Sequence, residues 1–331
     1  MIGIPEDRVL QWLLESSSPS IRYWTLKDIL GKESTVPEVE AAQNEIMTSS
    51  CVTKMTSAMD AGGYWGKEDD IYNPKYVATT HNLLILAELG ARPSDKIRKS
   101  IEHVFRFQLN SGHFTMHMPK TERGYNSTAK DACCYDGNIL YYLIHFGYLN
   151  DARTQRLVQF QVDHHSGDVG GWKCRAYPIN EKGVFPKNCY MGGTKVLKAF
   201  SRIPKSDRSS AIENIISKEA ELILENQIYR YLRTPDGKRK DKAGWKRFGF
   251  PLFYQSDILE VLDILTALGV KDGRMQEAIG FVESQRTEDG TWTLKNTFNG
   301  KMLCDIEEKN RPSKWITLRA MRVLRRYYGE Q

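Results

Sequence analysis

The chain lacks most of the features that would place it quickly. No apolar run approaches the roughly 18 residues that a membrane-spanning helix needs, and the mean hydropathy of −0.51 is that of a soluble protein. The opening residues, Met1-Ile2-Gly3-Ile4-Pro5-Glu6-Asp7, carry neither the basic nor the apolar region of a signal peptide. A cytoplasmic location is therefore expected. Cysteine is scarce, with six in 331 residues. That is too few for a disulfide scaffold, and the cytosol would keep them reduced. No glycine-rich phosphate loop, nucleophile elbow or His-Glu-x-x-His motif occurs. Strand signals are almost missing, and no β-hairpin is expected outside the loops. The net charge of +6 gathers at Lys238–Lys242, Lys246-Arg247 and Arg319–Arg326. Acids are interleaved there, so the clusters read as solvated helix faces and not as a nucleic-acid stripe.

What the chain does have is a repeat. Apolar helical segments end in glycine at Gly31, Gly90, Gly147 and Gly269, where a left-handed C-cap is expected. The separations are 59, 57 and 122 residues, the last being two periods. The skipped slot falls at Thr194–Ile203, stopped by Pro204, and one further period reaches Gly329 after Trp315–Tyr328. More polar helices, Ser94–Leu109, Asp151–Val162, Asp207–Glu225 and Asp272–Gln285, begin near Ser or Asp caps between them. This alternation predicts about six hairpins of inner and outer helices. The two ends echo one another: Pro19-Ser20-Ile21-Arg22-Tyr23-Trp24 and Pro312-Ser313-Lys314-Trp315. An open solenoid needs polar capping repeats, so matching ends favour closure. The expected fold is all-α, an α/α toroid spanning 1–331 as one domain, with Pro235–Lys242 as its most loop-like insertion.

A third element recurs at each hand-over from outer to inner helix. It reads Gly63-Tyr64-Trp65, Phe107-Gln108 with Gly112-His113-Phe114, Phe160-Gln161 with Gly170-Gly171-Trp172, Gly244-Trp245, and Phe281 to Gln285 with Asp289-Gly290-Thr291-Trp292. An aromatic, a Gln, a short turn and Gly-x-Trp resembles the repeat of squalene-hopene and oxidosqualene cyclases and the looser one of protein prenyltransferase β subunits. The resemblance runs from about residue 60 to 325. It implies a central cavity, lined by the N-terminal halves of the inner helices, that takes isoprenoid chains against aromatic walls.

The chemistry implied by these relatives maps unevenly. The cyclases protonate through Asp-x-Asp-Asp, which is missing; the nearest stretch is Lys67-Glu68-Asp69-Asp70. A carboxylate pair holds a proton when one pKa rises, which makes Asp69 and Asp70 candidate acids, against a solvated acidic loop. Prenyltransferase β subunits bind zinc through Asp-x-Cys and a later His, and grip a diphosphate with Arg, Lys and Tyr. Arg123, Lys130, Asp131-Ala132-Cys133 and Tyr135 follow that order, with Cys134 intervening. The next inner helix opens Lys187-Asn188-Cys189-Tyr190, without the His. Repeat alignment sets Cys133, Cys134, Cys174 and Cys189 on one rim. They are candidate zinc ligands, against buried cysteines acting as small apolar groups. Asp131 is a candidate oxygen ligand or base. His81, within Thr79-Thr80-His81-Asn82, and Asp257, after Gln255-Ser256, are candidates for contacting substrate.

The leading functional expectation is an isoprenoid-handling enzyme of the cyclase or prenyltransferase type, acting on a hydrophobic small molecule with zinc at the rim. Two alternatives stay open: a carbohydrate-active toroid enzyme, which needs two carboxylates across a cleft, and a non-catalytic lipid- or protein-binding toroid. The prenyltransferase resemblance also implies a partner subunit, although no motif here marks one.

Overall fold

The architecture was read from a computed structural model, which describes residues 6–127, 132–167, 170–172, 189–232 and 239–329. Helices are numbered in chain order. They are α1 (Glu6–Leu13), α2 (Pro19–Asp28), α3 (Pro37–Thr48), α4 (Ser50–Ser57), α5 (Thr79–Glu88), α6 (Asp95–Phe105) and the single turn α7 (Glu122–Tyr125). There follow α8 (Cys133–His145), α9 (Ala152–Asp163), α10 (Tyr190–Phe200), α11 (Ser210–Glu225), α12 (Ile258–Ala267), α13 (Gln276–Ser284) and α14 (Lys314–Tyr328). The inner ring is α2, α5, α8, α10, α12 and α14. Successive members pack against one another from α5 round to α14, and α14 packs on α2. The circle is completed where the Trp24 indole N–H donates to the Glu88 carbonyl at 2.9 Å. The fold is an all-α toroid, as the repeat predicts.

Two local devices set the repeat. Gly31, Gly90, Gly147, Gly269 and Gly329 all take positive φ, between 63° and 85°, a region in which a Cβ would be strained. At the hand-over turns, the indole N–H groups of Trp65, Trp172 and Trp292 donate to the carbonyls of Met55, Gln161 and Val282 at 2.7–2.8 Å. Each of these carbonyls lies in the last turns of the preceding outer helix, where the helical ladder runs out; those of Met55 and Val282 also accept the Ala58 and Gln285 N–H groups at 3.2 Å. The same turns are tied to the following inner helix. Thr79 and Thr317 accept the Trp65 and Trp292 backbone N–H groups, both at 3.0 Å, and Asp136 accepts that of Phe114 at 3.0 Å. The Gly-x-Trp repeat is thus a hydrogen-bonded splice between an outer and an inner helix.

Three features depart from the sequence expectations. Cys51 and Cys304 form a disulfide across 253 positions, with Cα atoms 5.5 Å apart. The expectation that every cysteine is reduced fails for this pair, which sequence spacing could not bring together. Two short antiparallel ladders are also present. Arg230–Leu232 (β1) pairs with Arg239–Asp241 (β2), and Trp292–Thr293 (β3) with Pro312–Ser313 (β4). The first forms a hairpin around the expected insertion. Finally, Arg319 and Arg322 are buried, 5% and 6% exposed, and not on a solvated face.

Those arginines belong to an ionic lattice that fills the lower half of the ring, where the inner helices end. Lys195 bonds both Glu260 oxygens at 2.7 Å, Lys198 bridges Glu88 and Glu260, and Arg319 reaches Glu88 at 2.7 Å. Arg322 pairs with Asp28 and Asp263, and Arg326 with Asp263 at 3.0 Å. Burial alone would raise the carboxyl pKa values of Glu88 and Glu260, but the adjoining cations outweigh it and hold both below the usual range. The first and last inner helices are joined by Asp28–Arg322, and Lys314 adds Glu15 at 2.7 Å. Arg322→Met should therefore cost about 3–5 kcal/mol, because it strands buried carboxylates. Urea denaturation measures it, and a loss under about 1 kcal/mol contradicts the role of the lattice.

Candidate functional site

The opposite end of the ring, where the inner helices begin, holds a pocket. It is walled by Tyr72, Leu84, Met116, Tyr135, Phe253 and Tyr254, with polar atoms from Thr80, His81, Cys134 and Asn138. Its enclosed volume is about 30 Å³, room for one or two waters and well below the range of ligand pockets. The rings pack edge-on. Tyr72 lies 5.7 Å from Tyr135 and 5.0 Å from His81, and Phe253 lies 5.1 Å from His81. Tyr76 and Tyr254 share a hydroxyl hydrogen bond of 2.7 Å beside them. The exposed Lys75 ammonium stands 5.7 Å from both the Tyr72 and Tyr254 rings, within cation–π range.

Two polar atoms of this pocket are buried without a partner. His81 is 3% exposed and its Nδ1 bonds nothing among the described residues. The Asn138 amide donates to the Phe253 carbonyl at 2.7 Å, while its Oδ1 is left over. Unsatisfied buried acceptors and donors are costly, so such a pair is a plain demand for a ligand or water. Burial, assisted by Lys75, pushes the His81 imidazole down to about 3. The ring is neutral at ordinary pH and offers one donor and one acceptor.

The sequence candidates separate at this point. His81, Cys134 and Tyr135 meet in the pocket, with the Tyr135 hydroxyl donating to the Thr115 carbonyl at 3.2 Å. Asp70 is buried 5% exposed and occupied. It accepts the Tyr72 and Asn73 backbone N–H groups at 2.9 and 2.8 Å and faces His117 at 3.3 Å. Asp69 is exposed beside it and Arg123 is exposed in α7. Asp257 caps α12, accepting the Glu260 and Gly249 N–H groups, both at 2.8 Å. Burial raises its carboxyl to about 6. Cys133 and Cys189 are buried, and the Cys133 thiol donates to the Trp172 carbonyl at 3.9 Å. Lys130, Asp131 and Cys174 lie outside the described residues. Among the described residues no three His, Cys, Asp or Glu side chains converge as metal ligands. Sequence reading passed over Phe253, Tyr254 and Asn138, whose only signal is their place at or near the start of an inner helix.

Comparison with known proteins bears on the fold. No family model matches the sequence, and no curated protein matches it. Among solved structures, a glycosyl hydrolase family 88 protein from Bacteroides vulgatus is similar over 97% of this chain and 98% of its own, at 11% identity and a TM-score of 0.51. An unsaturated glucuronyl hydrolase specific for heparin covers 95% of this chain and 86% of its own, at 10% identity and a TM-score of 0.46. The type II terpene cyclase MstE from Scytonema covers 85% and 98%, at 13% identity and a TM-score of 0.36. At such identities the likeness speaks of the toroid alone. No helix among the described residues is long and apolar enough to cross a membrane.

His81 and Asp257 give the site an opposed response to acid. Unfolded histidine takes up a proton below about pH 6.5, which folded His81 refuses down to about 3, so its share of stability is lost as pH falls through that window. Folded Asp257 takes its proton near 6 and the unfolded chain near 3.8, so its share grows as pH falls between those values. On moving from pH 7 to 4, His81→Phe should lose less stability than the parent and Asp257→Asn should lose more. Urea midpoints across that range measure both, and unchanged slopes contradict the assignment.

Proposed function

We propose that the chain is an isoprenoid-handling toroid enzyme that takes a short prenyl group into the aromatic pocket at the upper rim. The observation that carries this reading is the composition of the pocket wall. Tyr72, Tyr135, Phe253 and Tyr254 supply ring faces and edges, Leu84 and Met116 supply apolar contact, and no carboxylate lines it among the described residues. Such rings attract developing positive charge on a prenyl carbon. The leftover atoms of His81 and Asn138 suit a single polar head group. The enclosed space of about 30 Å³ admits a short prenyl chain only as the rim side chains move apart around it, and it excludes a triterpene.

The carbohydrate alternative is less well supported by the same wall. Glycoside hydrolysis needs two carboxyl groups facing one bond, and Asp70 and Asp257 are held in backbone caps instead. Zinc enters the proposal only if Cys174 or Asp131 joins Cys133, Cys134 and Cys189. The described residues alone do not fit the ion, and no step is routed through it. Metal analysis of protein purified without chelator decides that part: protein without zinc removes it and leaves the pocket untouched.

The pocket is tested with geraniol. Calorimetric titration should show binding, weakened at least tenfold by Cys134→Phe, which fills the half-buried wall position of Cys134. An unsaturated uronic-acid disaccharide should not bind. Geraniol that fails to bind, or a disaccharide that binds in its place, overturns the proposal. Incubation with prenyl alcohols and diphosphates, followed by mass spectrometry, distinguishes an enzyme from a toroid that only binds.

A further inference from the structure

The lower end of the ring holds more positive charge than its carboxylates account for. Two adjoining cavities, of about 40 and 250 Å³, share Arg202. Together their walls present seven lysine and arginine side chains against three carboxylates, Glu88, Glu260 and Asp263. Those carboxylates are already engaged by Lys195, Lys198, Arg319, Arg322 and Arg326. The larger cavity has no carboxylate on its wall at all. Its charged residues are Lys27, Arg92 and Arg202, set around Tyr23, Trp24 and Tyr141.

These three cations differ from the paired arginines of the lattice and of the outer helices. Among the described residues, none of the three forms an ion pair or a side-chain hydrogen bond; Lys27 lies over the Tyr23 ring and Arg202 near the Trp24 and Tyr141 rings, with the Asp28 and Asp263 carboxylates farther off acting on Arg202. The outer-helix arginines behave in the opposite way. Arg153 grips Glu102 and Asp151, and Arg274 grips Glu221 and Asp272. Helix C-termini attract cations, and that is the structural explanation to be weighed. A cation serving that purpose would bond the last carbonyls. Here those carbonyls are taken by backbone: Gly90 and Ala91 donate to Ala87 and Leu86, and Gly147 and Tyr148 to Ile144 and Leu143. His145, on the same wall, donates its Nε2–H to the Ala91 carbonyl at 2.8 Å, and burial first, then Arg202 and Lys27, keep it low at about 4. It adds no charge and leaves the three cations as the electrostatic character of the cavity.

We propose that this lower cavity is an anion-binding site for a phosphate or diphosphate group, held by Lys27, Arg92 and Arg202 and distinct from the aromatic pocket at the other end of the ring. Guanidinium groups present paired N–H donors that match phosphate oxygens, and the excess of cations around a partly enclosed space concentrates anions. Arg92 is exposed and Lys27 half-buried, so both are open to a ligand arriving from solvent, while Arg202 joins the site to the ionic lattice through the smaller cavity.

Inorganic pyrophosphate and phosphate are the probes, titrated calorimetrically into the full chain at low salt. The parent should bind pyrophosphate, with its thermal midpoint raised in step with occupancy. Lys27→Gln, Arg92→Gln and Arg202→Gln should each weaken binding at least tenfold. Arg274→Gln removes the same charge from a paired surface arginine and should bind as the parent does. His81→Phe should also bind as the parent does, which keeps the result independent of the upper pocket. Absence of pyrophosphate binding by the parent overturns the proposal. So does an equal weakening by Arg274→Gln, which reports net charge alone, or unweakened binding by Lys27→Gln, Arg92→Gln and Arg202→Gln, which puts the anion elsewhere.

Discussion

The interaction on which the molecule depends is the buried ionic lattice between the lower halves of its inner helices. A ring of six helices leaves a hole that side chains must fill, because interiors pack as densely as organic crystals. Apolar residues would fill it without specifying which helix sits beside which. Glu88, Lys195, Lys198, Glu260 and Arg319 fill it with directional contacts among α5, α10, α12 and α14, and Asp28–Arg322–Asp263 brings in α2. The sixth inner helix contributes the Tyr141 ring, 4.6 Å from the Lys198 ammonium. Charges buried this deeply cost heavily unless paired, so an inner helix out of order would strand them.

That choice divides the ring into two ends with different chemistry. The lower end is ionic, with cavities between its charged side chains, and the upper rim holds the aromatic pocket. There the inner helices start, and their first-turn polar residues are partly committed to the hand-over turns. Thr79, Asp136, Asp257 and Thr317 all accept backbone N–H groups from those turns. What remains uncommitted at the rim is aromatic, with His81 and Asn138 among its few loose polar atoms. The same lattice, having matched its own carboxylates, leaves Lys27, Arg92 and Arg202 unspent at the lower end.

The toroid was legible because its signals are local and repeated. Left-handed glycines, Ser and Asp caps and Gly-x-Trp turns each act within a few residues, and six copies outweigh any single misreading. The site was less legible because its signals are single and long-range. Nothing local marks Phe253 and Tyr254 as neighbours of His81. Asp70 reads in sequence as a catalytic acid and Asp257 as a substrate contact, yet both serve as backbone caps. The lattice does leave a trace in the sequence, but one with the opposite local meaning: Arg319 and Arg322 read there as part of a solvated basic face. Their helix carries the apolar residues Trp315, Ile316 and Leu318 beside them, and a charged residue within such a stripe needs a buried partner. The Cys51–Cys304 link had no sequence signal at all, since it joins the beginning and end of the circle.

The central claim is that one ring offers an apolar ligand space at its upper rim and an ionic end below. A crystal structure grown with geraniol and pyrophosphate together tests it most directly. The account predicts prenyl density against Tyr72 and Phe253 with its hydroxyl near His81 or Asn138, and an anion between Lys27, Arg92 and Arg202. A prenyl chain lodged among the lower arginines, or an upper pocket that excludes geraniol while the ring is intact, would contradict it.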